Sequence, residues 1–184
     1  GGMKVPSLFY SKGENMVGVA YVESKYIQYL FKFDKHVMYN KGQKRPYIGI
    51  SFEVRGHKYY APLTHPKPKF LTMKNDVDFM RIAGGKYGAI NFNNMIPVVD
   101  SAVIKVDTNK INDWKYKILL INQIEFFDDH DTRIVDVATK LYKSVIRKTA
   151  RQAVLDRCCN YLLLEQKAKK YDPNFEFKSK KIDK

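Results

Sequence analysis

The spacing of apolar positions changes once along the chain. Before about residue 106 they fall in short alternating runs, and from Asn112 onward they recur every three or four residues. VGVAYVE at 17–23 is rich in β-branched residues and predicts a strand, with Ser24 as the N-cap of a helix through Phe33. YIGISFEV at 47–54 sets Ile48, Ile50, Phe52 and Val54 on one face. Arg55-Gly56 predicts a tight turn, and 57–63 a returning strand that Pro62 brings to an end. Pro66 and Pro68 stiffen the residues beyond that strand, so a rigid loop is expected from Thr64. Further strands are expected at 79–82, 88–92 and 96–106, separated by the turn-forming pairs Gly84-Gly85 and Asn93-Asn94.

In the second half, Ile118, Ile121 and Glu125 predict a helix ending near His130. Asp131 is expected to cap a separate, longer helix with the stripe Ile134, Ala138, Leu141, Val145 and Ile146. Asn160 reads as the cap of a last helix through Tyr171, before Pro173, and the lysine-rich tail from Lys178 is expected to fray. No repeat or linker divides the chain. The expectation is one α+β domain, an antiparallel sheet with helices packed around it and a helical C-terminal half.

Composition narrows the function. The 184 residues are 45% hydrophobic, enough for a core, and carry 33 Lys+Arg against 19 Asp+Glu, a formal charge of +14. A field of that sign attracts polyanions, and nucleic acid is the first candidate. No apolar run reaches the roughly 18 residues of a membrane span, so no membrane partner is expected. No secretory signal opens the chain, and the two cysteines, Cys158 and Cys159, are neighbours that cannot clip the fold together; a reducing cytoplasm is expected. Gly1-Gly2 before Met3 reads as a tag scar.

The segment Thr64-His65-Pro66-Lys67-Pro68-Lys69 places a hydroxyl, an imidazole and two ammonium groups on a stiff loop at a strand end. RNA cleavage without metal needs a base for the 2′-hydroxyl proton, cations for the charge on the phosphorane, and an acid for the leaving 5′-oxygen. Thr64, His65 and Lys67 can divide these roles; a solvated proline-rich surface loop is the competing reading. Imidazole titrates nearest neutrality, and a nearby lysine favours its neutral, base-competent form. Tyr39, Lys41, Lys44 and Arg45 precede the hairpin and are expected near this loop, Tyr39 to stack on a base and Lys44 and Arg45 to hold phosphates. Lys69 adds a cation. Asn91, with Asn93 and Asn94, can read base edges, although turns suit these amides equally. Lys140, Lys143 and Arg147 recur at helical spacing and can track a phosphate backbone or form a solvated face.

Other chemistries find no pattern. His36, His57 and His130 are scattered without metal-ligand spacing, so neither metal nor any other cofactor is expected. Gly84-Gly85-Lys86-Tyr87-Gly88 lacks the phosphate-loop context, and no nucleophile elbow or dinucleotide fingerprint occurs. The helical half contains no glycine for a short helix-turn-helix, which weakens a DNA-binding reading. A non-catalytic RNA-binding or regulatory protein is the alternative to an enzyme.

The motifs also occur in a telling order. KYIxYLxxFD from Lys25, RPYIGI from Arg45, GHxYxAPLTxPK from Gly56, GAINxxxMIPV from Gly88 and CNYxLLE from Cys159 together resemble the ToxN and AbiQ family of type III toxin–antitoxin endoribonucleases, over about 17–171. The resemblance implies a strongly bent antiparallel sheet like that of the Kid, MazF and CcdB toxins. It further implies a metal-independent bacterial ribonuclease leaving 2′,3′-cyclic phosphate and 5′-hydroxyl ends. Its partners would be an antitoxin RNA pseudoknot, cut from a repeated precursor and retained as inhibitor, and cellular and phage RNA as substrate. A closed toxin–RNA hetero-oligomer and phage defence by abortive infection go with it. The family's Thr-Ser-Pro-Lys site falls on Thr64, His65, Pro66 and Lys67, and its upstream aromatic and basic residues approximately on Tyr39 and on Lys44 or Arg45. His65 stands where the relatives carry serine; its assignment as candidate base rests on chemistry alone.

Overall fold

The computed structural model describes residues 17–39, 45–54 and 56–174. The strands are β1 (Val17–Val22), β2 (Tyr47–Val54), β3 (His57–Thr64), β4 (Phe79–Arg81), β5 (Ala89–Asn91), β6 (Ile96–Pro97) and β7 (Val103–Lys105). The helices are α1 (Ser24–Phe31), α2 (Trp114–Ile146), α3 (Gln152–Leu155) and α4 (Tyr161–Ala168). The architecture is α+β: an antiparallel seven-stranded sheet in the order β4-β5-β3-β2-β1-β7, with β6 also on β3, and helices around it.

Strand β3 is central, and Pro62 lies inside it rather than at its end. Its pairing explains why. Leu63 N–H bonds Pro46 O on the β2 side, so position 62 faces the other edge. There β6 pairs only Tyr59 and Tyr60, while β5 pairs Leu63 and Thr64, and the missing proline N–H falls in the gap between them. The β2–β3 register shifts between Ile50 and Glu53, which interrupts the expected alternation; the Ile50, Phe52 and Val54 side chains and Arg55 lie outside the described residues.

The expected strand at 96–106 is two short strands. β6 lies on β3 and β7 on β1, so the chain must pass from one side of β2 to the other, and it turns through a short 3-10 segment at Asp100–Ala102 to do so. Glu23, not Ser24, precedes the first helical residue of α1, and no side chain caps that end. The two helices expected on either side of Asp131 are one, α2, capped by the Asp113 carboxylate on Tyr116 N–H. Its buried stripe is Leu120, Gln123, Phe127, Ile134, Ala138, Leu141 and Tyr142, whereas Ile118 is exposed. A local kink at His130 marks the expected break: its Nδ1 donates to Phe126 O at 2.8 Å and its ring stacks on Phe126, while the helix resumes beyond. Asn160 caps α4 as expected, through Leu163 N–H, but α4 ends at Ala168, short of Tyr171. Short α3 had no counterpart in the expected elements.

Most of the buried hydrophobics form one contiguous cluster, with Leu30 of α1, Ile48 and Leu63 of the central strands, Ile134 of α2 and Leu164 of α4. Each such side chain contributes about 1.5–3 kcal/mol by leaving water. Two buried carboxylates tie the helices to the sheet. Glu165 accepts the hydroxyls of Tyr59 at 2.7 Å and Tyr142 at 2.6 Å. Asp78 accepts both Nε and Nη2 of Arg157, which holds the β4 region to the segment between α3 and α4.

Candidate active site

The loop that leaves β3 is held from below. Thr64, half-buried, is the last residue of β3 and pairs with Ala89 of β5. His65, Pro66, Lys67, Pro68 and Lys69 are exposed, and Phe70 turns back into the core. Lys67 precedes a short 3-10 turn, Pro68–Leu71, in which proline at the first position needs no amide donor.

Two glycines form the seat for this loop. Gly88 (φ +93°) faces the carbonyl of Thr64, and Gly85 (φ +96°) faces that of Phe70, each so closely that a β-carbon would collide with the oxygen. Arg81 adds a clamp, its Nη1 donating to Phe70 O at 3.2 Å, Leu71 O at 3.1 Å and Gly84 O at 3.3 Å. On the other flank Arg45 Nη1 donates to Leu63 O at 3.3 Å.

Helix α2 supplies the back wall. Thr64 and His65 border a narrow crevice, too tight to admit a water molecule, with Pro46, Leu63, Tyr116, Leu119 and Gln123. The His65 ring lies 6.1 Å from that of Tyr116, whose hydroxyl shares a 2.8 Å hydrogen bond with Tyr21. Burial, and then that hydrogen bond, raise the Tyr116 pKa well above the ordinary phenol value, so the ring stays neutral at physiological pH. Gln123 is buried; its Nε2 donates to Tyr87 O at 2.8 Å and so braces the glycine turn, while its buried Oε1 has no hydrogen-bond partner among the described residues.

The hydroxyl of Thr64 accepts a short hydrogen bond from Asn91 Nδ2, and the same nitrogen lies 4.0 Å from Met38 Sδ. Met38 precedes Tyr39, which is exposed and sits 6.1 Å from the Phe31 ring. Of the pre-hairpin group, Arg45 is brought to the strand end that carries the loop, through Leu63 O, whereas the Tyr39 ring lies against Phe31 of α1. Lys41 and Lys44 lie outside the described residues.

Among the described residues His65, Lys67 and Lys69 make no ion pair, and the Lys67 and Lys69 ammonium groups lie 6.0 and 5.7 Å from the centre of the Phe70 ring. Such an arrangement can hold a phosphodiester against a hydroxyl donor, an imidazole and cations. Lys140, Lys143 and Arg147 are not brought to it. Lys140 pairs with Asp136 at 2.7 Å, and the α2 end carrying Lys143 and Arg147 borders a different, larger cavity lined by Val145, Ile146, Phe33 and Asp34. Asn93 and Asn94 lie in a turn, the Asn94 amide donating to His36 O at 2.8 Å. Among the described residues no group of three or more His, Cys, Asp or Glu side chains is placed to hold a metal, and no helix is long and apolar enough to cross a membrane.

Sequence reasoning missed Tyr116, Gln123, Arg81 and the seat formed by Gly85 and Gly88. Gln123 left a trace: an amide at helical spacing between Leu120 and Phe127, on what is otherwise the apolar stripe.

Comparison with known proteins assigns the chain as a whole to a family. The chain is 29% identical over 165 residues to Endoribonuclease ToxN of Pectobacterium atrosepticum, covering 84% of this chain and 94% of that one. A solved structure of a type III toxin–antitoxin system, in which a non-coding RNA pseudoknot selectively inhibits the toxin, superposes with a TM-score of 0.73 at 27% identity, covering 84% of this chain and 97% of that one. The lactococcal anti-phage endoribonuclease AbiQ shares the fold, with a TM-score of 0.72 at 24% identity over 85% of this chain and 98% of that one. The family model of the toxin ToxN, type III toxin–antitoxin system, matches residues 19–169. The chain belongs to the ToxN toxin family.

Proposed function

We propose that this protein is a metal-independent endoribonuclease, the toxin of a type III toxin–antitoxin system. The observation that carries the proposal is the Thr64–Lys67 loop, a hydroxyl, an imidazole and an exposed ammonium seated at the end of the central strand of a ToxN-family chain. A base removes the proton of the 2′-hydroxyl, the 2′-oxygen attacks phosphorus, and the 5′-oxygen leaves as it gains a proton. The products are a 2′,3′-cyclic phosphate and a 5′-hydroxyl. In this scheme Lys67 neutralises the charge that grows on the phosphorane, Thr64 donates to a phosphate oxygen, and His65 takes the 2′-hydroxyl proton.

Arg45 and Lys69 flank the loop and contact the RNA, joined by Tyr39, Lys41 and Lys44 from the stretch of sequence before the hairpin, while Asn91 bonds the Thr64 hydroxyl. Lys140, Lys143 and Arg147 follow the backbone further away. The toxin cuts its own repeated antitoxin precursor, is held by the resulting pseudoknot in a closed toxin–RNA assembly, and acts in the bacterial cytoplasm on cellular and phage RNA as an abortive defence. A single domain performs both cleavage and antitoxin binding. The curled-sheet likeness to Kid, MazF and CcdB belongs to the same proposal; it is supported by the passage of the chain from the β3 edge at Ile96 to the β1 edge at Lys105.

The test is cleavage of a mixed RNA in EDTA by protein stripped of co-purified RNA, beside Lys67→Ala, with the ends mapped. Discrete cuts with cyclic-phosphate ends that vanish in the variant are expected. RNA that stays intact but tightly bound would overturn the reading in favour of a binding protein.

A further inference from the structure

The hydrogen bond between Asn91 and Thr64 has a direction, and the direction determines what Thr64 can offer a phosphate. Thr64 pairs with Ala89, so Asn91, two positions along β5, stands on the same face of the sheet as the Thr64 side chain. Its Nδ2 donates to Thr64 Oγ1 and faces Met38 Sδ at 4.0 Å. A thioether only accepts, so both neighbours of this nitrogen suit the NH2 end of the amide.

A hydroxyl carries one proton and two lone pairs. With a lone pair of Oγ1 committed to Asn91, the O–H of Thr64 is directed elsewhere. Among the described residues it donates no hydrogen bond. We infer that Asn91 is a positioning residue that fixes the polarity of the Thr64 hydroxyl, so that Thr64 meets a bound phosphate oxygen as a donor and never as a lone pair.

This rests on the reading of Thr64 as a phosphate contact and reassigns Asn91 from base recognition to orientation. A preset donor needs no reorganisation as charge grows on the phosphorane, which is where such a contact is worth most. Asn91 therefore acts on the rate constant more than on affinity.

The experiment measures single-turnover cleavage at saturating RNA, RNA affinity and thermal midpoint for Asn91→Ala, Thr64→Val and the double variant. Asn91→Ala is expected to slow cleavage about tenfold, with affinity changed less than about threefold; in the Thr64→Val background the same replacement costs less than about twofold. Equal losses in both backgrounds, or a loss of affinity alone, overturn the inference. Should Asn91→Ala not fold, the near-isosteric Asn91→Asp provides a second reading. Its carboxylate can only accept from Thr64 and reverses the hydroxyl, whereas its protonated form can donate again. Its rate relative to wild type is expected to rise as pH falls toward the carboxyl range, near about 4, and a flat ratio overturns the inference. If Thr64→Val itself cleaves like wild type, the proposed function of the loop fails instead.

Discussion

Gly88 turns its bare α-carbon to the carbonyl oxygen of Thr64, with no room between them for a β-carbon. Its φ of +93° is independently unsuited to a side chain. Gly88→Ala is therefore expected to destabilise the fold by about 2 kcal/mol or more and to displace the end of β3. Urea unfolding measures the first effect and RNA cleavage the second. A variant within about 0.5 kcal/mol of wild type would mean that the loop does not depend on this seat.

Lys69 and Arg45 are expected to separate in their responses to salt and to denaturant. Lys69 is exposed and makes no ion pair among the described residues, so Lys69→Ala should flatten the dependence of log affinity for single-stranded RNA on log salt by about 0.7 while leaving the melting temperature unchanged. Arg45 also donates to Leu63 O, so Arg45→Ala should lower both affinity and stability. Identical behaviour of the two variants would contradict this division.

The buried carboxylate of Glu165 receives two tyrosine hydroxyls from different elements, which makes it a junction of β3, α2 and α4. Tyr59→Phe is expected to cost about 1–2 kcal/mol. Glu165→Ala should cost about 3 kcal/mol or more, because two buried hydroxyls lose their shared acceptor. A double-mutant cycle with Tyr142→Phe should show coupling of at least about 0.5 kcal/mol, and strict additivity would argue against a shared acceptor.

Burial pushes the Cys158 thiol up to about 11 and that of Cys159 well above the ordinary thiol value. The unfolded thiol ionises near about 8.5, so folding favours the protonated form; the stabilisation is complete below that pH and is lost as pH rises toward 11. Two outcomes are expected. Native protein should react with a thiol reagent at pH 7.5 only on the timescale of opening, and Cys158→Ala should lose less stability than wild type between pH 9 and 11. Fast labelling of the native state would show that these thiols are accessible.

Local rules made part of this molecule legible. The hairpin, the Asn160 cap and the stiff loop after β3 each depend on neighbours within a few residues, and each is present. Pro62 misled because the spare position for its missing N–H is created by β5 and β6, far along the chain. The expected break at Asp131 reflects a real kink at His130, but the apolar stripe runs on to Tyr142 and packing keeps the helix whole. In the site, Thr64, His65 and Lys67 were visible as chemistry on a loop. Tyr116, Gln123 and Gly88 were not, because what matters about them is which distant backbone or ring they touch.

The back wall formed by α2 has a consequence for synthesis. Chains emerge from the ribosome N-terminus first, at about 5–20 residues per second, and β3 is made well before the helix that its terminal loop rests on. Until Tyr116 and Gln123 have been added, the nascent chain holds Thr64, His65 and Lys67 without the surface that orients them. A ribosome stalled before α2 therefore displays the Thr64–Lys67 loop without the wall it rests on in the complete chain.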